Sequence, residues 1–249
     1  MYSLKKLSVL AAVTLVAAAA FVSGCGSNAP AGGTETTKNT VVTVAATPVP
    51  HSEILNEIKP LLAKEGIDLK IIEFTDYVKP NLALADKEVD ATFHQHLPFL
   101  EKFNAEHNTN LVSAGNVHIE PMGVYSHKIK ALSDLPLKAK VAIPNDPSNG
   151  GRALLILQAA GLIKLKDGGT VSSTVQDITD NPKQLQFSEL DAAQVPRAID
   201  DVDIAVINTN FALEAGLNPL KDSLFLEAKD SPYRSEERRV GKECLRLCR

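Results

Sequence analysis

Residues 41–74 read VVTVAATPVPHSEILNEIKPLLAKEGIDLKIIEF, and this stretch decides the architecture. Val41 to Ala46 is a short apolar run closed by a proline-rich turn, which predicts a strand. Glu53 to Lys64 follows with Ile54, Leu55, Ile58, Leu61 and Leu62 on one side of a helix, and Gly66 stands just past its end. Leu69 to Phe74 is the next strand. The alternation continues with a short helix over Pro80 to Asp86, a strand over Val89 to Phe93 and a helix over Pro98 to His107, opened by its proline. Such a β-α-β-α-β rhythm predicts an α/β fold with a mostly parallel sheet flanked by helices.

After an extended stretch from Gly115 to Ser126, the rhythm restarts. Lys140 to Ile143 reads as a strand, Pro144 to Asn149 as a loop and Gly151 to Ala160 as a helix. Strands are then expected over 184–190 and 203–208, and helices over 192–200 and 211–215. Two β/α series joined by an extended segment predict two lobes, residues 40–125 and 126–233, with a hinge near 124–127. A cleft between lobes suits a small molecule, and hinge closure can trap it.

The chain has 249 residues, 44% of them hydrophobic and 22% charged, enough apolar material for a core and too much for wholesale disorder. Residues 1–24 carry Lys5 and Lys6, then an apolar run from Leu7 to Val22 and the small residues Ser23 and Gly24, the pattern of a secretory signal peptide. Val22-Ser23-Gly24-Cys25 resembles a bacterial lipobox, in which Cys25 becomes the lipidated first residue of the mature protein. Residues 25–39 are rich in Gly, Ser, Thr, Pro and Ala and read as a flexible tether from that anchor. Residues 234–249 look foreign. Arg234 to Cys244 reads, codon for codon, as the translation of a common sequencing adapter, so the natural sequence is expected to leave this chain at Tyr233. Between the two ends, 25–233 carries 18 Lys and Arg against 27 Asp and Glu, a net charge of −9. That excludes nucleic-acid binding through a basic surface.

Four segments could carry chemistry, each where a strand ends and a helix or loop begins. Pro144-Asn145-Asp146-Pro147-Ser148-Asn149-Gly150-Gly151-Arg152 opens a helix, whose unpaired N–H groups suit an anion. Arg152 could grip a carboxylate through two N–H groups, or could be a surface arginine. Thr92-Phe93-His94-Gln95-His96-Leu97-Pro98 admits three readings: pocket-lining rings, a metal site in which His94 and His96 join His118, His107 or Glu120, or surface histidines. Tyr77 follows a strand and offers an aromatic wall with a hydroxyl, or packs half-exposed. Ile207-Asn208-Thr209-Asn210 offers amides to a ligand, or merely a helix cap. No Gly-x-Ser-x-Gly, His-Glu-x-x-His or phosphate-loop motif occurs, so no enzyme activity and no cofactor is expected.

Taken in order, these blocks resemble a known family. Asp76-Tyr77-Val78 with Pro80-Asn81, Gln95-His96 with Pro98, and Pro144-Asn145-Asp146-Pro147 with Asn149 and Gly151-Arg152 are similar to the MetQ/NlpA lipoproteins. So are Gly161-Leu162-Ile163, Val206-Ile207-Asn208 and Ser231-Pro232-Tyr233, and the similarity runs from 41 to 233. The resemblance implies a two-lobed, periplasmic-binding-protein-like fold that closes on methionine or a close relative. It implies a protein anchored by lipid on the extracytoplasmic face of a membrane, delivering its ligand to an ABC permease with its ATPase. Carried over by position, Arg152 holds the substrate carboxylate with help from Asn149, Tyr77 and His96 line the pocket, and Asn208 contributes. Position 94 is usually Phe in the family; His94 here implies a shifted ligand preference. Family members continue Ser-Pro-Tyr-x-Asn, with that Asn on the ligand, whereas Ser235 stands there in this chain. The literal polypeptide is therefore expected to bind methionine weakly or to be unstable. The alternative from another class is a metal-binding lipoprotein using His94, His96 and His118.

Overall fold

The computed structural model describes residues 39–228. The signal and lipobox readings, including Cys25, most of the tether and the adapter-like tail therefore lie outside the described residues. In chain order the elements are β1 Thr40–Ala46, α1 Glu53–Lys64, β2 Ile67–Glu73, α2 Lys79–Ala85, β3 Ala91–Phe93 and α3 Leu97–His107. There follow β4 Gly123–Tyr125, β5 Lys140–Pro144, α4 Pro147–Ala159, β6 Lys164–Leu165, β7 Ile178–Asp180 and β8 Gln186–Leu190. The series ends with β9 Ile204–Ile207, α5 Thr209–Glu214, α6 Pro219–Asp222 and β10 Phe225–Leu226. No helix among the described residues is long and apolar enough to cross a membrane.

The expected α/β architecture is present as two larger sheets. The first is fully parallel, in the order β2-β1-β3, with Val44 opposite Ile71 on one side and Ala91 on the other. The second runs β10-β4-β9-β5-β8. Its β9-β5-β8 portion is parallel, while β4 and β10 add antiparallel strands at one edge. β4, expected to close the first lobe, thus belongs to the second sheet. A β6-β7 ribbon, not expected from the sequence, forms a small third sheet.

The cores differ in size. The second sheet is sealed by α4, whose Ala153, Leu154, Ile156 and Leu157 pack on Val141, Ile143, Ile204 and Val206. Each such leucine or isoleucine removed from water stabilises the fold by roughly 1.5–3 kcal/mol. The first sheet rests on a thinner core of Val44, Ala46, Leu55 and Leu69. Of the apolar stripe expected on α1, only Leu55 is fully buried, and Leu61 is 56% exposed.

Two boundaries need correction. α4 begins at Pro147, not Gly151, because Asp146 is its N-cap: the carboxylate accepts from the Asn149 backbone N–H at 2.9 Å, and Pro147 supplies a preset first turn. Residues 192–200, expected as a helix, hold only a short 3₁₀ turn over Val195–Ala198, with Pro196 inside it. Gly151 is required by crowding: a Cβ there would lie 2.2 Å from the Val171 carbonyl oxygen.

Candidate functional site

The parallel strands deliver the site. β2 leads to Tyr77, β3 to His94 and His96, β5 to Asn149 and Arg152, and β9 to Asn208. All lie beyond carboxyl ends of strands, where open α/β sheets place ligands. Tyr77, His94, His96, Asn149, Arg152 and Asn208 line one cavity of about 760 Å³. This lies within the roughly 300–1,000 Å³ of small-molecule pockets.

One wall is aromatic. The Tyr77 ring lies 5.7 Å edge-on from Phe99, 4.8 Å from Phe211 and 6.0 Å from His94. Its hydroxyl donates to Asn210 Oδ1 at 2.5 Å. Burial pushes the Tyr77 phenol well above its usual range, so it stays a neutral donor. His94 is buried, with Nε2 donating to the Tyr77 carbonyl at 3.2 Å and Nδ1 left without a hydrogen-bond partner. Burial pulls its pKa down to about 3, so the ring is neutral and its open Nδ1 is an acceptor.

The opposite wall is a directed polar network. His96 caps α3: its Nδ1 accepts the Phe99 backbone N–H at 3.2 Å, which leaves the proton on Nε2. Nε2 then donates to Asn149 Oδ1 at 3.0 Å, and Asn208 Nδ2 donates to the same oxygen at 2.9 Å. Asn149 Nδ2 in turn donates to the Asp146 carboxylate at 3.0 and 3.1 Å. Asn149 is therefore a hub joining α3, α4 and the end of β9, and it also lines the cavity. Asn208 Oδ1 is buried without a hydrogen-bond partner. Burial, reinforced by the nearby Arg152 charge, lowers the His96 pKa to about 4.

Arg152 is buried and already faces a carboxylate of its own chain. Its Nε donates to both Glu227 oxygens at 3.1 Å, and Nη2 pairs with Glu227 Oε2 and donates to the Glu120 carbonyl at 2.7 Å. Glu227, just past β10, also accepts the Met122 backbone N–H at 3.1 Å. Nothing local in the sequence marks this residue, whose partner lies 75 positions away.

The histidine trio of the metal-binding alternative does not converge among the described residues. His94 and His96 turn to the Tyr77 carbonyl and to Asn149. Among the described residues, the His, Cys, Asp and Glu side chains that do meet are His51, His118 and Glu120. His51 was not expected in the site. It sits in the Pro48–Ser52 turn, with burial holding its pKa down at about 4.

Relatives share both sequence and fold. A Vibrio cholerae relative is 41% identical over 234 residues, covering 93% of this chain and 83% of its own. The D-methionine-binding lipoprotein MetQ of Escherichia coli is 47% identical over 181 residues, 71% of this chain and 67% of that one. A nutrient-binding protein from Burkholderia cenocepacia, solved bound to methionine, is 50% identical with a TM-score of 0.74 over 77% of this chain and 81% of its own. The NlpA lipoprotein family model matches residues 42–235, and with these relatives it establishes that the chain belongs to that family.

Proposed function

We propose that this protein captures methionine or a close relative in the cavity between its two sheets and passes it to an ABC permease. The observation that carries the reading is the division of one cavity into a polar wall and an aromatic wall. A zwitterion with an apolar thioether side chain needs both. Arg152 is the positive charge for the substrate carboxylate, held in orientation by Glu227. Asn208 Oδ1 and His94 Nδ1 are open acceptors for ammonium N–H groups. Tyr77, His94 and Phe99 face the thioether, whose sulfur is attracted to ring edges.

Asn149 and His96 act as positioning residues, fixing the openings of α3 and α4. The two sheets mark two lobes, with the strand Gly123–Tyr125 in the second, and ligand binding favours their closure by its differential affinity for the closed form. The protein is a binding component, not an enzyme; the partner's ATPase does the hydrolysis. Cys25 carries the lipid that keeps it on the extracytoplasmic face of the membrane, with residues 26–39 as tether.

Isothermal titration of the full chain with L- and D-methionine tests the reading. Saturable one-to-one binding of at least one enantiomer is expected, weakened in this chain because Ser235 stands where family members carry the ligand-contacting Asn. Arg152→Gln should weaken it at least tenfold, since a hydrogen bond to a charged group contributes about 1.5–3 kcal/mol. Asn208→Ala is the second variant, because it disturbs one scaffold bond only. Wild-type affinity in both variants would overturn the assignment.

A further inference from the structure

We propose that His51, His118 and Glu120 form a site for one divalent transition-metal ion in the wall of the cavity. The three side chains come from separate places: His51 from the Pro48–Ser52 turn, His118 and Glu120 from the extended segment before β4. Their ligating atoms all lie within 4.8 Å of one another. Glu120 Oε1 is the meeting point, 2.6 Å from His118 Nε2 and 3.4 Å from His51 Nε2. Bonds of about 2.0–2.1 Å to a tetrahedral ion require donors roughly 3.3 Å apart. The His51–Glu120 spacing already meets that, and the His118–Glu120 spacing reaches it by a small side-chain rotation.

The surroundings hold the donors in place. Phe93 meets the His51 ring edge-on at 4.7 Å and the His118 ring at 5.5 Å. The Glu120 backbone carbonyl is fixed by Arg152 Nη2 at 2.7 Å. Behind His51, Nδ1 lies 2.6 Å from the buried Thr47 hydroxyl. A hydroxyl accepts as well as it donates, so Thr47 can accept the hydrogen bond from Nδ1–H and leave the Nε2 lone pair facing Glu120. An outer partner on the far ring nitrogen is the usual support of a ligating histidine.

Two imidazoles and one carboxylate select the ion. Nitrogen donors favour Zn²⁺, Co²⁺, Ni²⁺ or Cu²⁺ over Mg²⁺ and Ca²⁺, which take oxygen. Three protein ligands leave coordination positions open, and all three residues line the cavity, so those positions face it. The proposal goes beyond methionine capture and does not depend on it.

The test uses the full chain, stripped with a chelator and titrated with Co²⁺ in the absence of any amino acid. Expected is one equivalent of Co²⁺ showing d–d absorption without thiolate charge-transfer bands, displaced by Zn²⁺. His118→Ala and Glu120→Gln should each weaken Co²⁺ binding at least about tenfold. His118 is partly exposed, so its variant disturbs packing least, and circular dichroism checks that both remain folded. Absence of binding, binding that survives both substitutions, or binding seen only through cysteine charge-transfer absorption would overturn the proposal. Because methionine is left out, failure here says nothing against the amino-acid reading, and the reverse holds.

Discussion

Replacing Glu227 by alanine should be among the most destabilising single changes in the second sheet. Arg152 and Glu227 expose only 6% and 7% of their side chains and meet through several charge-assisted hydrogen bonds. Removing one partner of a buried ion pair costs about 3–5 kcal/mol, because the other charge is stranded away from water. The two halves are not equivalent. A stranded carboxylate can escape by taking a proton, whereas a guanidinium cannot release one. Glu227→Ala should therefore cost more than Arg152→Met at neutral pH, and it also removes the acceptor of the Met122 N–H. The double variant Arg152→Met with Glu227→Ala strands neither charge and should recover much of the loss. Urea denaturation followed by circular dichroism measures all four members of the cycle. A cost below about 1 kcal/mol for Glu227→Ala, or a double variant as unstable as the sum of the singles, would refute the reasoning.

Acid should weaken the fold through its buried neutral histidines. His51 and His94 are held at about 4 and about 3, chiefly by burial, against 6.5 in an unfolded chain. Between those values the unfolded chain binds protons that the native one refuses, so stability is present above about pH 6.5 and declines as pH falls towards 4. Each histidine contributes a slope of up to about 1.4 kcal/mol per pH unit, and His94→Phe should remove one such share from urea midpoints compared at pH 7 and 5. Gly151→Ala should cost on the order of 1–3 kcal/mol, since its Cβ has no room beside the Val171 carbonyl oxygen. An unchanged thermal midpoint would show that the loop at 171 yields freely.

The parts of the molecule governed by local rules were legible in the chain. Strand and helix periods located α1 at Glu53–Lys64 and β5 from Lys140, and the proline of Leu97-Pro98 marked the start of α3. Even the start of α4 was written locally, since Asp146-Pro147 is a capping aspartate followed by a first-turn proline. What escaped is long-range. Tyr125 could be read as extended, but not as the partner of Ala205 in the second sheet. Likewise the sequence did not show that the Asn149 oxygen lies between His96 and Asn208. The same holds for His51 and Glu227, whose neighbours lie far away along the chain. Cavity membership was the easier question, because strand ends collect there; the duty of each side chain within it depends on neighbours that no local pattern names.

Two side-chain links, Tyr77 to Asn210 and His96 to Asn149, span from the end of one sheet to the end of the other. All four groups are uncharged. Counterions screen charges and leave neutral dipoles in close contact almost untouched. Brine and dilute buffer should therefore leave this clasp equally tight.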